Sequence, residues 1–147
     1  QMIVRHTDIR TAYLYGELQE ELYMRQPPGY SNGDPSVVCR LVKSLYGLKQ
    51  AARVWNNRID TALKSMEFTR SSADQCLYTR GTICILIYVD DIVVACHTSE
   101  EYESIVKLLR QSFKVVELGD IKFFLGIHVR KGDGHYVLSQ KSYISKT

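Results

Sequence analysis

The chain has 147 residues, 45% apolar and 24% charged, with a net charge of +3. That composition suits one globular domain, or a piece of a larger one, able to bury a fair core. The charge is too small to argue by itself for a nucleic-acid partner. No run approaches the roughly 18 apolar residues of a membrane span. The four cysteines and four histidines show no C-x-x-C pairs and no zinc-like grouping, so the thiols read as reduced and structural, in an intracellular protein.

Taken in chain order, Met2 to Ile9 reads as a strand ending near Asp8. Residues 11–18 follow as a turn with a short helical piece. Residues 21–25 read as extended, broken by Gln26, Pro27, Pro28 and Gly29. A polar loop at 31–36 leads to a strand over 37–42. Residues 50–68 have helical periodicity, with Ala51, Trp55, Ile59, Ala62, Leu63 and Met66 on one stripe and Arg53, Asn57, Asp60 and Lys64 facing away. A short strand at 76–80 turns at Gly81 and Thr82. Two apolar, β-branched runs, 83–87 and 92–95, then flank Tyr88, Val89, Asp90 and Asp91.

Thr98 and Glu101 have capping-box spacing for a second helix, with Tyr102, Ile105, Leu108, Leu109 and Phe113 as its apolar stripe. Strands are expected at 115–116, 123–129 and 135–138, separated by Gly119 and Asp120 and by a Lys-Gly-Asp-Gly loop at 131–134. From 139 onward the pattern begins to look helical and breaks off. With Gln1 as the first residue, this reads as a segment of a longer polypeptide.

The order strand, helix, two strands, helix, strands predicts an α+β fold: a ferredoxin-like split βαβ sheet with two helices on one face. The tight turn between the two apolar runs puts Asp90 and Asp91 beside a hydrophobic core. Adjacent carboxylates repel, and burial strips their hydration. A divalent cation removes both penalties, whereas a plain polar turn explains the same pair through local preference alone. In a split βαβ sheet the first strand lies beside the central hairpin, which brings Asp8 to Asp90 and Asp91. Three carboxylates there can hold two magnesium ions about 3.5–4 Å apart, the arrangement used for phosphoryl transfer.

With these pieces in hand, the chain resembles the reverse transcriptase of copia-type long-terminal-repeat retrotransposons. The matching stretches are TDIRTAYL at 7–14, YMRQPPGY at 23–30, KSLYGLKQA at 43–51 with Arg53 and Trp55, YVDD at 88–91, LGD at 118–120 and FLGI at 124–127. They occur in the family's order along almost the whole chain, and the ordered set is far more specific than YVDD alone.

The resemblance implies an RNA-directed DNA polymerase, with this chain as the palm and part of the fingers. Asp8, Asp90 and Asp91 match its magnesium-binding catalytic triad, and the backbone carbonyl of Ile9 is a further candidate ligand. The cofactor implied is two Mg2+ ions, with Mn2+ as a substitute. Tyr13 matches the aromatic residue under the sugar of the incoming nucleotide, where it would exclude a 2′-hydroxyl. Tyr46 and Gly47 match the loop that contacts nucleotide and template. Phe124, Leu125 and Gly126 match the hairpin that positions the primer end. Each has a plainer alternative: Asp8 as a helix cap, Tyr13 as a core tyrosine, Tyr46 and Gly47 as a tight turn, Phe124 to Gly126 as a strand with a bulge glycine.

Lys43, Lys49, Arg53 and Arg58 surround the Tyr46 loop as candidate phosphate contacts, though each alone reads as a solvated charge.

The implied partners are a primer–template of RNA or DNA, deoxynucleoside triphosphates and the rest of the retrotransposon polyprotein, in a cytoplasmic virus-like particle, with no membrane. Thumb, ribonuclease H, protease and integrase lie outside residues 1–147, so the isolated chain is not expected to extend a primer. Four positions depart from the family pattern: Ala52 stands for Pro, Tyr15 for Asn or His, Cys96 for Gly and His128 for an acidic residue. They bear on efficiency rather than identity. Two rivals remain open: an inactive or host-adopted remnant that only binds nucleic acid, and a ferredoxin-like interaction domain with a chance Asp pair.

Overall fold

Two near-continuous apolar, β-branched strands flank the YVDD turn and build the centre of the fold. In the computed structural model, which describes residues 2–145, those strands are β6 (Ile83–Tyr88) and β7 (Asp91–Cys96). Part of the helix-like run expected from 139 onward, its last two residues, lies outside the described residues, as does Gln1.

The chain divides into two compact units. The first takes the residues up to Arg10 and those from Ala62 onward. Its main sheet has six strands, joining β6 and β7 to β1 (Ile3–Ile9), β4 (Thr69–Arg70), β5 (Leu77–Arg80) and β8 (Val115–Asp120). The strand order is β4-β5-β6-β7-β1-β8, and every neighbouring pair is antiparallel. A second sheet in this unit has three strands: β9 (Phe123–Phe124), β10 (Ile127–Lys131) and β11 (Tyr136–Ser139), in the order β11-β10-β9.

The strand period of two sorts the main sheet into two faces. Thr7 and Ile9 of β1, Ile85 and Ile87 of β6, and Ile92, Val94 and Cys96 of β7 are buried on one face. Helix α2 (Ser99–Arg110) covers that face, buries Tyr102, Ile105, Val106 and Leu109, and is pinned to β1 by a 3.0 Å hydrogen bond between the Tyr102 and Thr7 hydroxyls. Burial raises the Tyr102 phenol above its ordinary range, and the bond to Thr7 opposes that shift. Each aliphatic side chain buried in this layer contributes about 1.5–3 kcal/mol.

The other face carries Val4, His6 and Asp8 of β1, with Asp91 and Val93 of β7. The second sheet packs over part of it. Ile121, Phe124, Val129 and Tyr136 close on Val93, Val4 and Leu86.

The second unit, Thr11–Thr61, holds a 3-10 turn (Ala12–Tyr15), the ribbon β2 (Glu17–Arg25) with β3 (Val38–Lys43), and most of helix α1 (Ala51–Ser65). Gly16 is required by close approach, since a Cβ there would come within 2.8 Å of Val54 Cγ1. The polar loop after Gln26 is tied by that one side chain, which bonds Asn32, Asp34 and Val37.

Several expected boundaries move. Helix α1 stops at Ser65 rather than 68, because Glu67 turns left-handed (φ 65°) and the Phe68 N–H returns to the Leu63 carbonyl. Met66 and Phe68 stay buried, which is why the apolar period continued past the helix end. The strand expected over 123–129 is a hairpin, split at Leu125 (φ 50°) and Gly126 (φ 78°). Gly119 and Asp120, read as a separator, lie inside β8, where the pairing with β1 shifts by one residue at a bulge. Strand β2 begins at Glu17, earlier than expected, and β4 had no counterpart in the sequence reading. A short helix, α3 (Lys141–Ile144), follows β11. Among the described residues, no helix is long and apolar enough to cross a membrane.

Candidate active site

Asp8 is the penultimate residue of β1 and Asp91 the first of β7, and the antiparallel register sets them directly opposite each other. Directly opposed residues share a face, so both side chains stand on the face away from α2. Asp90 occupies the two-residue turn between β6 and β7, and its carbonyl accepts the Ile9 N–H at 2.9 Å. That bond ties the tip of the hairpin to the end of β1. The three aspartates, 82 positions apart in sequence from first to second, therefore meet at one end of the sheet.

Their electrostatics agree with their placement. Burial pushes the Asp8 carboxyl above its ordinary value, and the charges of Asp90 and Asp91 push it further, against smaller opposing pulls from His6 and Arg10. The Asp90 and Asp91 charges are thus near enough to Asp8 to disfavour its ionised form. Asp91 is held from the side by His6, whose Nε2 lies 2.7 Å from Asp91 Oδ1. Among the described residues, no three His, Cys, Asp or Glu side chains are already assembled to hold a metal ion. The donors are all carboxylate oxygens, the chemistry that suits a hard cation such as Mg2+. The Ile9 side chain is fully buried, and its N–H is the group already engaged with Asp90.

Strain surrounds the same end of the sheet. Val89, the first residue of the turn, has φ 57°, and Thr11, three residues after Asp8, has φ 56°. Both are β-branched, the residue class least suited to the left-handed region. Such residues concentrate at functional sites.

The remaining expected residues fall into two groups. In the second unit, the Tyr13 and Tyr46 rings meet at 4.7 Å between centroids, and Gly47 follows with φ 94° and open space where a Cβ would be. Tyr46 is exposed and Tyr13 half-buried. Lys43, Lys49, Arg53 and Arg58 are exposed on that unit. In the first unit, Leu125 and Gly126 form the tip of the β9–β10 hairpin, and Phe124 faces inward to the apolar cluster. Of the departures, Ala52 is exposed in the first turn of α1, and the Tyr15 ring packs 6.2 Å from Trp55. Cys96 is buried in β7, and His128 stacks on Phe123 at 4.6 Å.

The sequence profile described as "Reverse transcriptase (RNA-dependent DNA polymerase)" matches residues 1–147. The chain belongs to the reverse transcriptase family. Its curated relatives are the Pol polyproteins of copia-type transposons. The retrovirus-related Pol polyprotein of transposon RE2 from Arabidopsis thaliana is 39% identical over 95% of this chain and 10% of its own length. A putative transposon Ty5-1 protein of Saccharomyces cerevisiae is 36% identical over 95% of this chain and 47% of its own length. The Pol polyprotein of transposon TNT 1-94 from Nicotiana tabacum is 36% identical over 97% of this chain and 11% of its own length. The chain thus spans from about a tenth to about half the length of these relatives.

His6, which bonds Asp91, had no place in the site expected from the sequence. The available signal was positional: in a strand, the residue two before Asp8 shares its face.

Proposed function

We propose that this chain is the palm, with part of the fingers, of a copia-type RNA-directed DNA polymerase, and that Asp8, Asp90 and Asp91 are its metal-holding carboxylates. The carrying observation is the register that opposes Asp8 to Asp91 while the Ile9 N–H binds the Asp90 carbonyl. Strand order β6-β7-β1-β8 in the first unit, with α1 and α2 falling in chain order between β1 and β6 and between β7 and β8, supports a ferredoxin-like palm; α2 belongs wholly to that unit and α1 only through Ala62 to Ser65. The ribbon-bearing second unit is read as the fingers portion.

The residues divide the work. Asp8 and Asp90, with the Ile9 carbonyl, would hold two Mg2+ ions, and Asp91 completes the negative charge. When bound, the metals supply Lewis acidity at the triphosphate and at the primer 3′-hydroxyl. Tyr13 and Tyr46 offer an aromatic pair for the sugar and base of the incoming deoxynucleotide, with Gly47 allowing close backbone approach. The hairpin tip at Leu125 and Gly126 presents exposed backbone and an apolar side chain to the primer end. Template, primer, deoxynucleotides and the remaining polyprotein are the partners, and a virus-like particle is the setting this reading implies.

The test is primer extension by the complete polymerase that contains this chain. Asp90→Asn should lower extension by at least about 100-fold, the scale of removing one preorganised charge from a reaction centre. The fold should survive, because Asp90 sits in a partly exposed turn. Extension within a few-fold of the unchanged enzyme would remove Asp90 from the metal role. An unchanged enzyme that binds primer–template and does not extend it would favour the nucleic-acid-binding remnant instead.

A further inference from the structure

His6 makes two contacts, one to Asp91 at the carboxylate end of the main sheet and one to Phe124 of the β9–β10 hairpin, beside the apolar cluster that already joins the two sheets. Its β1 position puts it on the same face as Asp8, and the register places Val93 directly across from it and Asp91 two pairs further along, the next on this face. Asp91 therefore has two β1 neighbours on this face: Asp8 opposite and His6 on the diagonal. The first repels it and the second holds it, with Nε2 and Oδ1 2.7 Å apart. A carboxylate oxygen accepts, so the ring N–H donates. The His6 side chain is 15% exposed and that of Asp91 38%, so the donor is the more sheltered partner. On its other side the imidazole meets Phe124 edge-on, with centroids 6.1 Å apart and planes at 86°. Phe124 is anchored in the apolar cluster of Val93, Ile121 and Val129. The ring is thus fixed from both sides.

We propose that His6 is a positioning residue: it fixes the Asp91 carboxylate and couples it to the β9–β10 hairpin, so that the metal-holding end of the sheet and the hairpin tip keep one geometry. The inference rests on the polymerase reading above. It divides the three aspartates by role. Asp91 is the braced member, and Asp8 and Asp90 are the pair left to close on metal. It also gives Phe124 a second task beside packing, since it backs the ring that holds Asp91.

The experiment compares His6→Leu and His6→Gln in the complete polymerase, with Asp90→Asn alongside. Leu keeps an apolar contact to Phe124 and removes the donor, while Gln supplies an amide donor. His6→Leu should lower kcat for primer extension about 10-fold, the modest end of what misplacing a reacting group costs, with KM for deoxynucleotide nearly unchanged. His6→Gln should recover most of that loss. A second measurement needs no activity: the imidazole 1H–15N correlation of the metal-free 147-residue chain should show the His6 Nε2–H, and Asp91→Asn should shift it.

Three results overturn the inference while leaving the polymerase reading intact, provided Asp90→Asn is dead. These are full extension by His6→Leu, a Gln variant no better than Leu, or a His6 resonance indifferent to Asp91→Asn. Active Asp90→Asn removes Asp90 from the metal role and with it the division of the aspartates that the inference makes, whereas an unchanged enzyme that binds primer–template without extending it overturns the polymerase reading itself. If His6→Leu does not fold, His6→Gln and the imidazole spectrum decide the matter.

Discussion

The main sheet contains two hairpins of the same loop length, and they are built from opposite residues. Between β5 and β6 the two-residue loop is Gly81 and Thr82; between β6 and β7 it is Val89 and Asp90. In each, the first loop residue has positive φ, 59° for Gly81 and 57° for Val89. That is the φ signature of a type II′ turn, which favours Gly at its first position. The outer hairpin follows the rule. The hairpin carrying the carboxylates breaks it with a β-branched residue. Its neighbour in the sheet shows that the fold itself does not demand the exception, so the strain belongs to what the second turn does.

Exchanging the two residue types breaks or sharpens this contrast. Gly81→Val has open space for its side chain, so its cost is conformational, about 1 kcal/mol or somewhat more of stability lost in urea unfolding. Val89→Gly should act in the opposite sense and by less, a gain of roughly 0.5 kcal/mol, because relief of strain is partly offset by the extra freedom of Gly in the unfolded chain. The same change should slow primer extension by loosening the Asp90 turn. Equal signs for the two changes would show that Val89 is not strained in a way that matters.

A smaller effect follows from the unequal environment of the carboxylates. Asp8 has its carboxyl raised above the ordinary aspartate value, so the native state binds more protons than the unfolded chain between those two values. The sign follows directly. Stability of the metal-free protein falls as pH rises through that window, and the full penalty is present above it. Asp8→Asn removes the penalty. In EDTA the variant should melt higher than the unchanged protein near neutral pH, and the gap should close as pH drops into the ordinary aspartate range. Parallel melting curves across that range would contradict the raised value. Asp34 makes a useful contrast, since its carboxyl is lowered by hydrogen bonds from the Ser36 hydroxyl and N–H.

These comparisons also mark what the sequence could reveal. The central hairpin was legible because β6 and β7 combine β-branched composition with an abrupt polar turn. Helix α2 was legible because Thr98 and Glu101 form a full capping box. The meeting of Asp8 with Asp91 was legible through the order of elements, which constrains where the first strand can lie. Strand β2 was legible only over 21–25, where half-buried Leu22 and Met24 alternate with exposed Glu21, Tyr23 and Arg25; the Gln19-Glu20-Glu21 run hid its first half. Gly119 misled because a glycine at a bulge and a glycine in a turn look alike in sequence. The hairpin at Leu125 was hidden from the strand pattern, because a leucine takes the left-handed position where Asn or Gly would have signalled it, and only the family resemblance pointed to a hairpin there. His6 was hidden because its partner is 85 residues away and the pairing depends on register, which no local pattern states.

Anomalous diffraction from Mn2+-soaked crystals of the chain tests whether the end of β1 and the β6–β7 turn hold a divalent metal, as proposed above. A peak is expected about 2 Å from carboxylate oxygens of both Asp8 and Asp90, absent from Asp90→Asn crystals treated alike. No peak at saturating Mn2+, or one located elsewhere and indifferent to Asp90→Asn, would contradict it.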